Sequence, residues 1–143
     1  MIANGVDLST IFLGGGNSIK AIKTFNSTTK TLSIESRISK FAERANIYSD
    51  ARKGFNKTEG KALIEKYYQQ MKAGTFNKGG AGFITKGGKI VLTEGNHSMN
   101  AAIKYALETG DSRYIRFIVE KGNFTKNADL VKYGIKANKL PTK

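Results

Sequence analysis

The apolar period of this chain changes from helical to strand-like at a single glycine. No other feature constrains the fold as tightly. Leu63, Ile64, Tyr67, Tyr68 and Met71 recur at helical spacing, with Thr58 placed to cap the segment and Gly74 placed to end it. Directly afterwards, Gly82-Phe83-Ile84-Thr85 and Lys89-Ile90-Val91-Leu92-Thr93 are short β-prone runs joined by Lys86-Gly87-Gly88, a hairpin signal. A helix then resumes, with Asn96 or Ser98 as its cap, Met99, Ala102, Ile103, Ala106 and Leu107 on its buried side, and Gly110 as its stop. This order predicts an α+β fold. Helices from the N-terminal part pack on a small sheet or hairpin, and a strand–turn–helix carries the site.

The flanks are less regular. Residues 1–33 contain Gly14-Gly15-Gly16-Asn17 and Ser27-Thr28-Thr29-Lys30-Thr31, with Asp7 the only acid before Glu35. That composition predicts a linker or loosely ordered lead-in, with a short helix near Ser18–Phe25. Residues 34–143 are then one domain with its core at 58–124. Ser33 is placed to cap a helix whose stripe is Ile34, Ile38, Phe41, Ala45 and Tyr48, closed by Gly54. The run Tyr114–Val119 stays open between two readings. Its composition favours a strand, while Tyr114, Phe117, Ile118 and Lys121 form a helical face that Asp111 can cap. A tail rich in Lys and Asn follows Phe124, and there is no internal repeat.

Charge narrows the class of partner. The 24 Lys and Arg outweigh the 11 Asp and Glu, a net charge of +13 over 143 residues. Such an excess draws a protein to polyanions. The basic residues run from Lys20 to Lys143 and are not massed on one amphipathic helix, and no apolar run approaches the ~20 residues of a membrane helix. Nucleic acid therefore ranks above a membrane, and no membrane anchoring is expected. Met1-Ile2-Ala3-Asn4-Gly5 lacks the basic and apolar regions of a signal peptide, so no export leader is expected here. With no cysteine, disulfides, zinc–thiolate sites and cysteine nucleophiles are excluded; with one histidine, so are multi-histidine metal sites and a two-histidine ribonuclease mechanism.

That one histidine, His97, lies in Glu94-Gly95-Asn96-His97-Ser98, between the second β-prone run and the helix. Neutral imidazole accepts a proton near pH 7 and imidazolium returns one. RNA brings its own nucleophile, the ribose 2′-hydroxyl, so its cleavage needs only a base, an acid and positive charge at the phosphate. Glu94 and His97 are the candidates for the acid and base roles. Lys86, Lys89 and Arg113 are the candidates for the electrostatic one. The backbone N–H groups of Ser98 and Met99 at the helix start are placed to hold a phosphate. This mechanism calls for no cofactor and no metal. In the alternative, a deoxyribonuclease, Asp111 and Glu94 would supply the carboxylates of a magnesium site. The bland readings stand beside these. A histidine at a helix start is often a hydrogen-bonded structural residue, hairpin lysines usually face solvent, and Tyr67, Tyr68 and Tyr105 read as core packing rather than base-stacking platforms.

The order of elements around the turn resembles the ParB/sulfiredoxin-like domain. In that family a helix ending in Gly leads to a short hairpin, then to a Gly-x-His-Arg turn that opens a helix with an Ala-Ala pair. The matching pieces here are Tyr67 to Gly74, the two β-prone runs, Glu94-Gly95-Asn96-His97 and Ala101-Ala102, spanning Thr58 to Phe124. The resemblance implies that Gly95, Asn96 and His97 handle phosphate. Ser98 stands where the family commonly has Arg, which turns the expectation from nucleotide hydrolysis toward cleavage of a nucleic-acid backbone, and the lack of cysteine removes a sulfiredoxin reaction. The whole chain also resembles the toxic C-terminal domains of bacterial polymorphic toxins, especially those of contact-dependent growth inhibition. That likeness implies a ribonuclease acting on transfer RNA, delivered from a secreted effector into the cytoplasm of a target cell. It also implies an acidic immunity protein over the basic face near Lys86 and Lys89, and, as in some members, dependence on a translation elongation factor such as elongation factor Tu. A deoxyribonuclease toxin and a non-catalytic nucleic-acid-binding module of ParB-like fold are the alternatives.

Overall fold

The run Ile90-Val91-Leu92 is apolar without alternation, and it occupies the centre of a five-stranded sheet where both faces are covered. The structure is a computed structural model that describes residues 18–51 and 57–142. Helices α1 (Ser18–Thr29) and α2 (Ile34–Arg44) precede strand β1 (Ile47–Ser49). Helix α3 (Lys57–Ala73) leads to the hairpin β2 (Ala81–Thr85) and β3 (Ile90–Glu94). Helices α4 (Asn96–Thr109) and α5 (Arg113–Glu120), strand β4 (Asn123–Ala128), the short α6 (Leu130–Tyr133) and β5 (Asn138–Lys139) follow. The sheet order is β4-β2-β3-β1-β5. β3 runs antiparallel to β2 and parallel to β1, β4 is parallel to β2, and β5 is antiparallel to β1. The fold is α+β.

Helix α4 is the central pillar. It packs against α1, α2, α3 and α5, so its residues from Ser98 to Ile103 are buried without interruption, and small side chains at Ala101, Ala102 and Ala106 let the neighbours approach. Two consecutive tyrosines of α3 diverge because successive helical residues point about 100° apart. Tyr68 donates its hydroxyl to Glu108 of α4. Burial, followed by that carboxylate, pushes the Tyr68 phenol up to about 12. Tyr67 turns toward the β3–α4 junction.

Four sequence expectations are changed or decided. The helix expected through Tyr48 stops at Arg44 because Asn46 takes a left-handed φ of 59°, and Ile47 to Ser49 then pair in register with Ile90 to Leu92. Tyr48 therefore belongs to a strand, its helical spacing being coincidental; Gly54 lies outside the described residues. The lead-in is in part core. α1 runs to Thr29, its Ile22 and Phe25 are fully buried, and Phe25 packs edge-on against Phe41 with ring centres 5.5 Å apart. Each such side chain contributes about 1.5–3 kcal/mol on burial, which favours docking of α1 on the rest of the core. Residues 1–17 lie outside the described residues. Tyr114–Val119 is helical: the Asp111 carboxylate accepts the Arg113 N–H at 2.9 Å to start α5, and Tyr114, Ile115 and Ile118 face inward. The polar tail after Phe124 supplies both sheet edges, β4 and β5.

Capping also differs. Thr58 falls inside the first turn of α3, which begins at Lys57. Neither Asn96 nor Ser98 caps α4; the cap is Gly95, at φ 99° and with no side-chain hydrogen bond. Gly74 and Gly110 end α3 and α4 as expected, at φ 76° and 79°. Among the described residues no helix is long and apolar enough to cross a membrane.

Candidate active site

The site exists because three stretches of backbone touch. Gly80 donates its N–H to Ile118 O at 2.9 Å and accepts from Asn123 N at 3.0 Å, which sets it between α5 and β4. A Cβ on Gly80 would stand 2.9 Å from Ile118 Cγ2 and 3.1 Å from Glu94 O. A Cβ on Gly95 would stand 3.2 Å from Gly80 Cα, on a residue already at positive φ. Glycine is needed at both positions for β3 to turn into α4 directly over the segment leading to β2.

Above this stack is a cleft of ≈ 130 Å³ lined by Tyr67, Lys78, Gly79, Glu94, Gly95, His97 and Ser98. Burial lowers the His97 imidazole below its usual 6.5, so it is neutral near pH 7. Glu94, at the end of β3, is exposed. Ser98 is 5% exposed. Tyr67 is 9% exposed, its ring edge-on to Phe76 at 5.9 Å. Its hydroxyl accepts a hydrogen bond from Lys78 Nζ at 3.0 Å. The Met99 N–H, expected to face a phosphate, is taken by Gly95 O at 2.8 Å. The Ser98 N–H, one residue nearer the helix start, has no partner within the helix.

Of the residues singled out in the sequence, Glu94, Gly95, His97 and Ser98 meet in the cleft. Asn96 does not line it. Its backbone carbonyl instead accepts from Asn100 Nδ2 at 2.8 Å, and that same amide also reaches Pro141 O at 2.8 Å, tying the helix start to the C-terminal segment. Lys86 and Lys89 are elsewhere for a geometric reason. The register places Ala81 opposite Glu94, so the cleft is at the open end of the hairpin and the lysines are at its closed end. Five residues at ~3.4 Å each separate the two, about 17 Å. Lys89 Nζ lies 4.8 Å from the ring centre of Tyr48, and Lys86 is exposed on the turn. Arg113 is exposed and bonded through Nε to Asp111 at 2.6 Å, which raises its pKa and occupies Asp111 outside the cleft. Among the described residues, no three His, Asp or Glu side chains gather as a metal-binding group.

Lys78 and Tyr67 were missed in the sequence. The signal for Lys78 was available: it precedes Gly79-Gly80 at the start of the hairpin, and pairing the two strands puts that start beside Glu94. Tyr67 carried no signal of its own, because a tyrosine at helical spacing reads as core. Together the groups set a neutral base, a carboxylate, an ammonium, a phenol and a helix start around one small space, which suits proton transfer at an anionic centre. Comparison of the chain with protein-family models, curated proteins and solved structures found no match.

Proposed function

We propose that this domain is a ribonuclease of the antibacterial-toxin type, cutting RNA without a metal through acid–base catalysis at the β3–α4 turn. One observation carries the reading: neutral His97 shares a small polar cleft with Lys78 and the start of α4. The cleft is small, ≈ 130 Å³, and lined mostly by polar side chains, which suits an anionic group such as a phosphodiester. His97 takes the proton of the 2′-hydroxyl. Glu94, on the same turn, supports the imidazolium that forms. Lys78 and the N-terminal N–H groups of α4 stabilise charge on the phosphorane.

The net charge of +13 supports a polyanionic substrate. The strand–turn–helix with Gly95 and His97 supports a ParB/sulfiredoxin-like grouping. Transfer RNA as the target, delivery into another cell, an acidic immunity protein and help from elongation factor Tu rest on the likeness to contact-dependent toxin domains alone. The test is incubation of the purified protein with total bacterial RNA and, separately, with plasmid DNA, read on gels. Discrete RNA fragments from the native protein and none from His97→Ala are expected. Tight, salt-sensitive binding without scission would instead make this a nucleic-acid-binding module.

A further inference from the structure

We propose that Tyr67 is the general acid of this cleft, protonating the departing 5′-oxygen, with Lys78 as its positioning residue. The inference rests on the ribonuclease reading and extends it.

Attack by a 2′-hydroxyl needs two proton transfers, on opposite sides of phosphorus, because nucleophile and leaving group stand in line. A base removes the proton from O2′ and an acid supplies one to O5′. His97 is neutral, so it fits the first role and has no spare proton for the second. Glu94 stands on the same turn, three residues away from His97. Tyr67 reaches the cleft from a different element, α3.

The hydrogen bonding around Tyr67 sets the direction in which its proton can go. An ammonium only donates. Lys78 Nζ therefore gives a hydrogen to the phenol oxygen at 3.0 Å, which commits an oxygen lone pair and leaves the O–H to donate elsewhere. The same ammonium stabilises the phenolate that proton transfer creates. The ring is held by the core, edge-on to Phe76, so the hydroxyl is presented from a fixed base. Tyr68 next to it is unsuited, since its hydroxyl is spent on Glu108.

The step balances. His97 accepts the 2′-hydroxyl proton as O2′ bonds to phosphorus. The P–O5′ bond breaks, and O5′ takes the phenolic proton. The products are a 2′,3′-cyclic phosphate and a 5′-hydroxyl. Tyr67 is reprotonated from solvent and His97 returns its proton to water.

The test compares two RNA oligonucleotides bearing a cut site mapped with the native protein, one ordinary and one with sulfur in place of the 5′-bridging oxygen. A thiolate leaves without an acid. Tyr67→Phe should cut the ordinary substrate at least about 100-fold more slowly, with KM unchanged. It should cut the sulfur substrate at a rate within a few-fold of the native protein. His97→Ala should be slow on both. Lys78→Met is the second variant, expected to lose activity on oxygen and to regain only part of it on sulfur, because its ammonium also stabilises charge on the phosphorane. Equal impairment of Tyr67→Phe on both substrates, or no impairment on either, would overturn the assignment. If the native protein cuts no RNA, the ribonuclease reading itself fails and this assignment falls with it.

Discussion

Lys78 Nζ lies 3.0 Å from the Tyr67 hydroxyl and 5.1 Å from the centre of the same ring. One ammonium thus contacts both the polar tip and the body of a tyrosine whose ring belongs to the core. The cleft is therefore anchored to α3 as well as to the β3–α4 turn, and the Lys or Arg that lines it among the described residues comes from the segment before β2.

The first prediction concerns which lysines matter. Lys78→Ala should lower cleavage of RNA by about 10-fold or more, the scale of one lost charge-stabilising contact. The pair Lys86→Ala and Lys89→Ala, about 17 Å away along the hairpin, should change it by less than about 3-fold at about 0.15 M salt, where charges are screened over about 8 Å. Initial rates on one RNA substrate at fixed ionic strength decide this. A larger loss from the hairpin pair than from Lys78→Ala would move the site.

The second follows from His97. Burial holds its pKa below 6.5 in the folded protein, and the base must be neutral to act. The acid limb of kcat/KM should therefore have its midpoint below 6.5. The sign for stability is the same. Once the pH falls below 6.5 the unfolded chain binds this proton more readily than the folded one, so the contribution of His97 is full above 6.5 and is lost as pH falls through the folded value. Thermal melts of the native protein and of His97→Gln between about pH 5 and 8 should converge toward the acid end. A midpoint above 6.5 would mean that a neighbouring charge, not burial, governs the group.

How much of this was legible in the sequence depends on the range of the interaction. The helix at 57–73, the hairpin and the helix at 96–109 follow from local periodicity and from Gly74 and Gly110, so they were readable. β1 was not. Three residues carry no period, and Ile47 becomes a strand residue only by pairing with Ile90, 43 positions away. β4 is largely exposed and polar, so only its place beside β2 makes it a strand. The same division runs through the site. Glu94, Gly95, His97 and Ser98 are neighbours in sequence and were found together. Tyr67 and Lys78 come to them through the packing of α3 on α4 and through the hairpin register. Lys86 and Lys89 are near Glu94 only along the sequence, since a hairpin carries its turn away from its open end.

A third prediction tests the backbone stack beneath the cleft. In Gly80→Ala the new methyl would sit 2.9 Å from Ile118 Cγ2 and 3.1 Å from Glu94 O. Side chain and backbone must both yield, at a cost of about 1–3 kcal/mol. Urea unfolding should show a lower midpoint with an unchanged slope, and cleavage should fall with it because Glu94 is displaced. Gly87→Ala, where the nearest atom is Thr85 Oγ1 at 3.9 Å, is the control and should be close to neutral. Equal stability of the two variants would contradict the close stacking of Gly80 on the β3–α4 turn.

The measurement that tests the central claim most directly separates binding from cleavage at His97. RNA binding and RNA cleavage would be measured for the native protein and for His97→Ala, in EDTA and at one ionic strength. The account predicts that the native protein cuts RNA in EDTA, and that His97→Ala binds within about 3-fold of native affinity while cutting at least about 100-fold more slowly. Undiminished cutting by His97→Ala would contradict it, and so would native activity that vanishes in EDTA and returns with magnesium.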